Sequence, residues 1–252
     1  MTDLFEEVEE QLRSERYRAL GQRALPWVLG LGAAALIAAL AVWGWQSYRQ
    51  QAIAKASDEY GAALDAMGQG HKAAAARLWT EVSRSPAKGY RSLALMQLGG
   101  LSMGDNKPAE AVKYFDRAAQ AAPDDIIGDA ARLKSAFALL DTAPETQVEA
   151  RLTPLIGDKR PYRVQAREAL GFAKLMAGDG AGARREFSMI ANSLDAPEGA
   201  RERAKAAINL IDSGSAKAVP GLAKAQAALP PRPQLTPGGA PAQPQPQVPE
   251  PQ

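Results

Sequence analysis

An uncharged run near the N-terminus, residues 24–48, lies between Arg23 and Arg49. About 20 residues of α-helix, at about 1.5 Å per residue, are enough to cross the roughly 30 Å hydrocarbon core of a bilayer. Large aromatic residues, which prefer the headgroup region, stand near both ends of the run: Trp27, Trp43, Trp45 and Tyr48. The run therefore predicts a single transmembrane helix over residues 24–48.

Two other structures are compatible with an apolar run of this kind. The small residues of Ala39-Leu40-Ala41 resemble a signal-peptide cleavage site, and a long apolar helix can also form the core of a soluble protein. A secretory signal usually begins with a short basic segment and has an apolar region of about 7–15 residues. Here an acidic leader, residues 1–23, precedes a longer run that ends in bulky tryptophans. We expect an uncleaved membrane anchor.

The charges beside the run predict its orientation. Arg13, Arg16, Arg18 and Arg23 precede it, whereas Arg49 and Lys55 follow it closely. The side richer in Lys and Arg normally stays in the cytoplasm. We expect a bacterial inner-membrane protein that crosses the membrane once, with a cytoplasmic N-terminus and a periplasmic C-terminal domain.

The composition indicates an all-α fold. The chain is 46% hydrophobic but only 6% aromatic, and it is rich in Ala, which suits closely packed helices better than sheets. It contains no Cys, which excludes thiol catalysis, Cys-ligated metals and disulfides. The net charge of +2 is too small to indicate nucleic-acid binding.

The chain after residue 48 repeats with a period of about 36 residues, the range in which arrays of helical hairpins are found. The equivalent large residues are Trp79, Phe115, Leu152 and Phe187, at spacings of 36, 37 and 35. Nine residues before them stand Gly70, Asn106, Ala143 and Gly178. Gly and Asn tolerate the left-handed conformation that ends a helix, so we expect Gly70, Asn106 and Gly178 each to close the first helix of a hairpin. The third unit, with Leu152 and Ala143, fits the pattern least well and is either degenerate or divergent.

Two of these units resemble the tetratricopeptide repeat. The matching residues are Leu98, Gly99, Ala111, Phe115, Ala118 and Pro123 in one unit and Leu170, Gly171, Ala183 and Phe187 in another. The resemblance implies a tetratricopeptide-like α-hairpin solenoid, which we place at residues 49–215.

The two ends of the chain differ from the repeats. Between Pro230 and Gln252, nine of 23 residues are Pro, so we expect residues 216–252 to form a linker and a disordered Pro-rich tail. At the other end, Leu4, Phe5, Val8 and Leu12 fall on one helical stripe. Residues 1–23 are therefore predicted to form an amphipathic cytoplasmic segment.

The sequence shows no residue pattern that is typical of a catalytic site. His71 is the only histidine, and it lies beside Gly70 in a predicted turn, where a solvated loop residue is expected. No Gly-rich phosphate-binding loop is present. We predict that the chain is not an enzyme and has no cofactor, metal site or small-molecule substrate.

The first helices of such repeats line a protein-binding groove. The corresponding positions are Tyr60, Leu64, Met67, Met96, Met103, Gln165, Glu168, Phe172 and Leu175. A groove rich in Met can adapt to varied or partly unfolded partners. The alternative is that neighbouring helices cover these residues as core.

The whole layout resembles one family. The acidic start Asp3–Arg13, the Trp-flanked span and the degenerate repeats are similar to the YfgM-like ancillary subunits of the Sec translocon. The resemblance implies a position beside the Sec channel, a membrane-anchored periplasmic chaperone as partner, and contact with unfolded client proteins. Two other functions stay open: an envelope-assembly or cell-division scaffold, and an anchor that regulates a cytoplasmic signalling protein through residues 1–23.

Overall fold

A computed structural model describes the backbone of residues 3–221 and the side chains of Trp27 and residues 29–221. All regular structure in residues 3–221 is helical, as predicted. The α-helices are α1 Asp3–Gly68, α2 Lys72–Val82, α3 Lys88–Gly104, α4 Pro108–Ala121, α5 Asp125–Leu139, α6 Glu145–Leu152, α7 Arg163–Met176, α8 Gly180–Ala191 and α9 Glu198–Asp212. Short 3-10 helices cover Thr153–Leu155 and Ser215–Ala218. The Pro-rich tail predicted from residue 230 lies outside the described residues.

Helix α1 is unusually long, at 66 residues, or about 100 Å. No helix end falls at 48, where we expected the span to give way to the repeats. The part of α1 from Leu29 onward contains an apolar window long enough to cross a membrane, and none of that window is buried against the rest of the described chain. The side chains of the predicted amphipathic stripe in residues 1–23 lie outside those described.

The predicted turn residues have the expected left-handed backbone. The φ angles are 81° at Gly70, 58° at Asn106 and 87° at Gly178. At each turn the third residue after the helix donates its N–H to the carbonyl five residues before it, as His71 does to Ala66 O at 2.8 Å. This hydrogen bond satisfies a carbonyl that the helix end would leave unpaired. Ala143 does not share this conformation, and the chain between α5 and α6 is irregular.

A fourth left-handed residue extends the series. Gly214 has φ 78° and follows Gly178 by 36 residues, the same spacing that separates Asn106 from Gly70. Like the other three, Gly214 donates its N–H to the carbonyl three residues before it, here Ile211 O at 3.0 Å. Helix α9 therefore ends like the first helix of a further hairpin, with Ala200 and Ala204 buried.

The described chain divides into two compact units. The first contains the residues up to 140 and residues 150–166, and the second contains residues 141–149 and those from 167 onward. In the second unit Lys174 lies 3.2 Å from both Glu145 and Glu149. Partial burial lowers the pKa of Lys174, but hydrogen bonds and attraction from the two carboxylates outweigh it, so that this pKa lies above its ordinary value.

The hairpins of the first unit are packed through pairs of one small and one large residue. A Cβ on Gly99 would lie 2.5 Å from the ring of Phe115, so only glycine allows α3 and α4 to approach this closely. Phe115 also forms a buried cluster with Ala111 and with Ala138 of α5. The ring therefore joins its own hairpin to the next one.

The second unit repeats this contact. A Cβ on Gly171 would lie 2.9 Å from the ring of Phe187, which is buried. Phe172 meets the same ring edge-on, with the centroids 5.2 Å apart and the planes at 73°. An edge-to-face arrangement of this kind is favourable for two aromatic rings.

We predict opposite effects for two adjacent substitutions in α3. Gly99→Ala should destabilise the first unit by about 1–3 kcal/mol, because the added methyl group overlaps the buried ring of Phe115. Gly100→Ala should be neutral or stabilise it by about 0.5–1 kcal/mol, because an added Cβ would meet no side chain and no other helix within 4 Å and Ala favours helix. Urea unfolding of a fragment that begins at Arg49 would measure both, and equal effects would contradict the packing.

Candidate functional site

The predicted groove residues lie on the first helices of the hairpins, as expected, and follow the 36-residue period. Tyr60 and Met96 are one period apart, and so are Met67 and Met103. Tyr60, Leu64, Met67, Met96, Met103 and Gln165 belong to the first unit, and Glu168, Phe172 and Leu175 belong to the second. Each unit is therefore described separately.

In the first unit, two apolar members of the set are exposed. Leu64 of α1 is 45% exposed and Met103 of α3 is 41% exposed, and these two helices contact each other. Gln165 is also exposed, whereas Tyr60 and Met67 are half-buried. Large apolar side chains left open on neighbouring first helices are the feature that a protein-binding surface requires.

Tyr60 is held in place by its neighbours. Its hydroxyl oxygen accepts a hydrogen bond from Gln97 Nε2 at 2.9 Å, and its ring lies 5.8 Å from that of Tyr90. The Tyr90 hydroxyl in turn donates to Ser57 Oγ at 2.9 Å. Tyr60 therefore presents a fixed rather than an adaptable side chain.

Met96 belongs mainly to the core. It is half-buried and packs against two clusters, one around Leu95 and Ala131 and one around Phe115. Since it fills space between α3, α4 and α5, a charged residue at this position would disturb the fold. For Met96, therefore, the alternative holds that neighbouring helices cover the residue as part of the core.

In the second unit the predicted set has mixed environments. Leu175 is only 4% exposed, so its side chain is part of the core and not of an open surface. Phe172 is 42% exposed although one edge meets Phe187. Glu168 accepts two hydrogen bonds from Arg203, at 2.7 and 2.8 Å, and these raise the pKa of the guanidinium above its ordinary value. Phe172 is thus the open apolar member of this set.

One exposed aromatic residue was missed. Phe137 on α5 is 45% exposed, in the unit where the sequence pattern is weakest. The 36-residue period counted from Met103 reaches Leu139 on the same helix, so the spacing of the stronger units identifies α5 as a further first helix. The weak third unit had offered no groove residue.

The third unit also requires a correction of the register. Counting 36 residues from Phe115 reaches Arg151, and counting 36 from Gly99 reaches Ser135. Arg151 Nη1 donates to Ser135 Oγ at 3.1 Å, so the two side chains meet as the ring and the glycine do in the other units. Arg151, not Leu152, is therefore the equivalent of the aromatic residue. Leu152 is fully buried beside it.

A hydrogen-bonded cluster replaces the aromatic contact there. Asp116 Oδ1 accepts from Arg151 Nη1 at 2.7 Å and from Ser135 Oγ at 2.7 Å. The three residues come from α4, α5 and α6. Where the other units join their helices by a ring, this unit joins three helices by directed polar contacts.

A second ionic cluster holds the chain after α6 to α5. Asp129 is fully buried and accepts from Arg132 at 2.9 Å and from Arg160, which also donates to Asp125 at 2.7 Å. The hydrogen bond to Asp129 raises the pKa of Arg160 above its ordinary value. The carboxylates of Asp125 and Asp129 therefore both form ion pairs within the fold.

The arrangement offers little to catalysis in the part of the chain that the structure describes. His71 is exposed at the start of α2, where its backbone N–H completes the turn. Across the described residues, no group of three His, Asp or Glu side chains is placed to hold a metal ion.

We predict that the glycine–aromatic contact of the other units can be introduced into the third unit only by changing Ser135 and Arg151 together. Arg151→Phe alone should cost about 1–3 kcal/mol, because the Ser135 side chain occupies the space that a ring needs. Ser135→Gly with Arg151→Phe should recover at least about 1 kcal/mol of that loss, as coupled neighbours do. Ser135→Gly alone is the control. Urea unfolding that shows purely additive losses would contradict the revised register.

Comparison with known proteins agrees with this architecture. The profile of the tetratricopeptide repeat-like domain matches residues 24–211, which is most of the chain. No curated protein and no solved structure gave a match. Repeats of this type generally mediate contacts between proteins rather than catalysis. The hairpin turns and the pairs of small and large residues agree with this match. The chain therefore belongs to the tetratricopeptide repeat-like domain family.

Proposed function

We propose that this protein is a membrane-anchored interaction module that acts as an ancillary subunit of the Sec translocon. It would bind a membrane-anchored periplasmic chaperone, emerging client proteins, or both. The span over residues 24–48 would fix the N-terminus in the cytoplasm and the repeats in the periplasm. The family membership supports a protein-binding role, and the acidic segment Asp3–Arg13 supports the specific setting.

The observation that carries this proposal is the continuity of α1. The apolar stretch and the first repeat helix belong to one uninterrupted helix, which ends at Gly68. From Tyr48 to Gly68 the helix covers about 30 Å. Since an α-helix is stiff over this length, the first hairpin would stand directly above the membrane surface. A polypeptide that leaves a channel beside the span would meet the repeats first.

The open apolar residues of the first unit suit such a partner. Leu64 and Met103 are exposed, and Met67 lies half-buried on the same first helices. Met has no branched carbon and three flexible torsions, so it adapts to apolar segments of different shape. A chaperone or an unfolded client presents surfaces of this kind. A partner recognised through one rigid polar epitope fits these residues less well.

We predict that the full-length chain is retained in the membrane without cleavage. It should stay in the pellet after alkaline carbonate extraction, because a span of this length leaves the bilayer only at high cost. A tag at the C-terminus should be accessible to protease from the periplasmic side, and a tag at the N-terminus should be protected. A mature chain that begins near Val42 in the soluble periplasmic fraction would contradict the anchor.

We predict that two charges on the open surface break partner binding and spare the fold. Leu64→Glu with Met103→Glu should reduce crosslinks to partners at least about tenfold, because binding would then bury carboxylates without counter-charges. A photo-crosslinking residue at Gly100 can report this, since Gly100 is exposed and lies one period after Leu64.

The matched control is Ile126→Glu with Leu194→Glu, which charges two other exposed apolar residues, 61% and 93% exposed. The control should keep its crosslinks. Both variants should keep the helical circular dichroism signal of the unmodified protein. A folded test variant that still crosslinks to translocon components and client chains at the normal level would refute the proposed surface.

A further inference from the structure

A pocket of about 690 Å³ opens beside α1, just after the apolar run. One wall is α1 itself, from Trp45 to Ile53, and the opposite wall is formed by Pro86 and Ala87 before α3 and by the first turn of α3 up to Tyr90. Helix α2 runs back along α1 after the turn at Gly70, which brings the opposite wall to the level where the apolar run ends. All of these residues belong to the first unit.

The α1 wall of the pocket is amphipathic. Trp45 is 66% exposed, Tyr48 is 59% exposed and Ile53 is 44% exposed. Trp45 and Tyr48 are three residues apart and therefore neighbours on the helix surface, and Ile53 lines the same pocket further along α1. Trp and Tyr favour the boundary between acyl chains and headgroups, because they combine an apolar ring with a polar hydrogen-bonding atom.

The charges of the pocket have one sign. Arg49 and Lys88 are its charged lining residues, and no Asp or Glu is among the described residues that line it. Both cations are exposed, and neither forms an ion pair within the described part of the chain. Two cations without an ion-pair partner, next to exposed aromatic rings, suit a ligand with an anionic group and an apolar tail.

A neighbouring pocket of about 510 Å³ differs in this respect. It lies along another side of α1 and shares Tyr48 and Pro86, but Lys55 and Arg84 are accompanied there by Glu59 and Glu81. Lys55 lies 3.8 Å from Glu59. The balanced charges make this pocket an internal control of similar size and position.

We propose that the pocket beside Arg49 and Lys88 binds the headgroup of an anionic phospholipid from the adjacent leaflet. The inference rests on the proposed membrane anchor, which would set Trp45 and Tyr48 at the headgroup level. Arg49 and Lys88 contact the phosphate, and Trp45 contacts the upper acyl chains. The bound lipid fixes the first hairpin against the membrane surface.

The test uses the full-length protein in a neutral detergent. Phosphatidylglycerol or phosphatidylcholine is titrated in, and bound lipid is counted by native mass spectrometry. The unmodified protein should bind one phosphatidylglycerol in preference to phosphatidylcholine. Arg49→Gln with Lys88→Gln should weaken this binding about 30-fold, since each Lys or Arg near an anionic lipid surface contributes about fivefold.

The matched control, Lys55→Gln with Arg84→Gln, removes the same charge from the balanced pocket and should bind phosphatidylglycerol normally. Equal losses in the two variants, or no lipid preference in the unmodified protein, would overturn the proposal. Displacement of the lipid by excess inorganic phosphate would show a general anion site and overturn it as well. So would capture of a protein instead of a lipid by a photo-crosslinking residue at Ile53.

Two further measurements keep the result interpretable. If the double variant loses helical signal, the single variants Arg49→Gln and Lys88→Gln decide, each with an expected weakening of about fivefold. Carbonate extraction separates this inference from the anchor on which it rests. A chain that stays in the membrane but shows no lipid preference refutes only the lipid site. A chain that leaves the membrane refutes the anchor.

Discussion

The fold depends on the contact between a small residue on the first helix of a hairpin and a large one on the second. A methyl group on Gly99 would lie 2.5 Å from the ring of Phe115, so the two helices could not keep their separation. The same ring then reaches Ala138 on the next hairpin. One side chain therefore sets both the spacing within a hairpin and the stacking of successive hairpins, which explains why the period is visible in the sequence.

The third unit preserves the geometry with different chemistry. Ser135 and Arg151 stand where the glycine and the ring are expected, and Asp116 accepts a hydrogen bond from each of them. A ring contributes through buried area and tolerates small shifts, whereas hydrogen bonds need defined distances and angles. This exchange leaves no apolar signature in the sequence, so the unit looks degenerate although hydrogen bonds join its helices.

Helix α1 connects the proposed membrane anchor directly to the repeats. Since the apolar run and the first repeat helix share one helix, the repeats need no flexible linker to the proposed anchor. The open residues Leu64 and Met103 then stand at a short, fixed height above the proposed membrane plane. The cationic pocket at Arg49 and Lys88 lies beside the same helix, just after the apolar run. Partner binding and lipid binding would thus use different levels of one rigid element.

The sequence by itself determined the helical class, the period and three of the left-handed turns, because Gly70, Asn106 and Gly178 are local requirements of the backbone. It also placed the groove residues on the first helices. Only the tertiary structure decided which of them are open, since Leu175 and Leu64 have the same apolar character but 4% and 45% exposure. The register at Arg151 likewise needed the structure. Burial and hydrogen bonding between distant residues depend on how helices pack, and local spacing does not encode that.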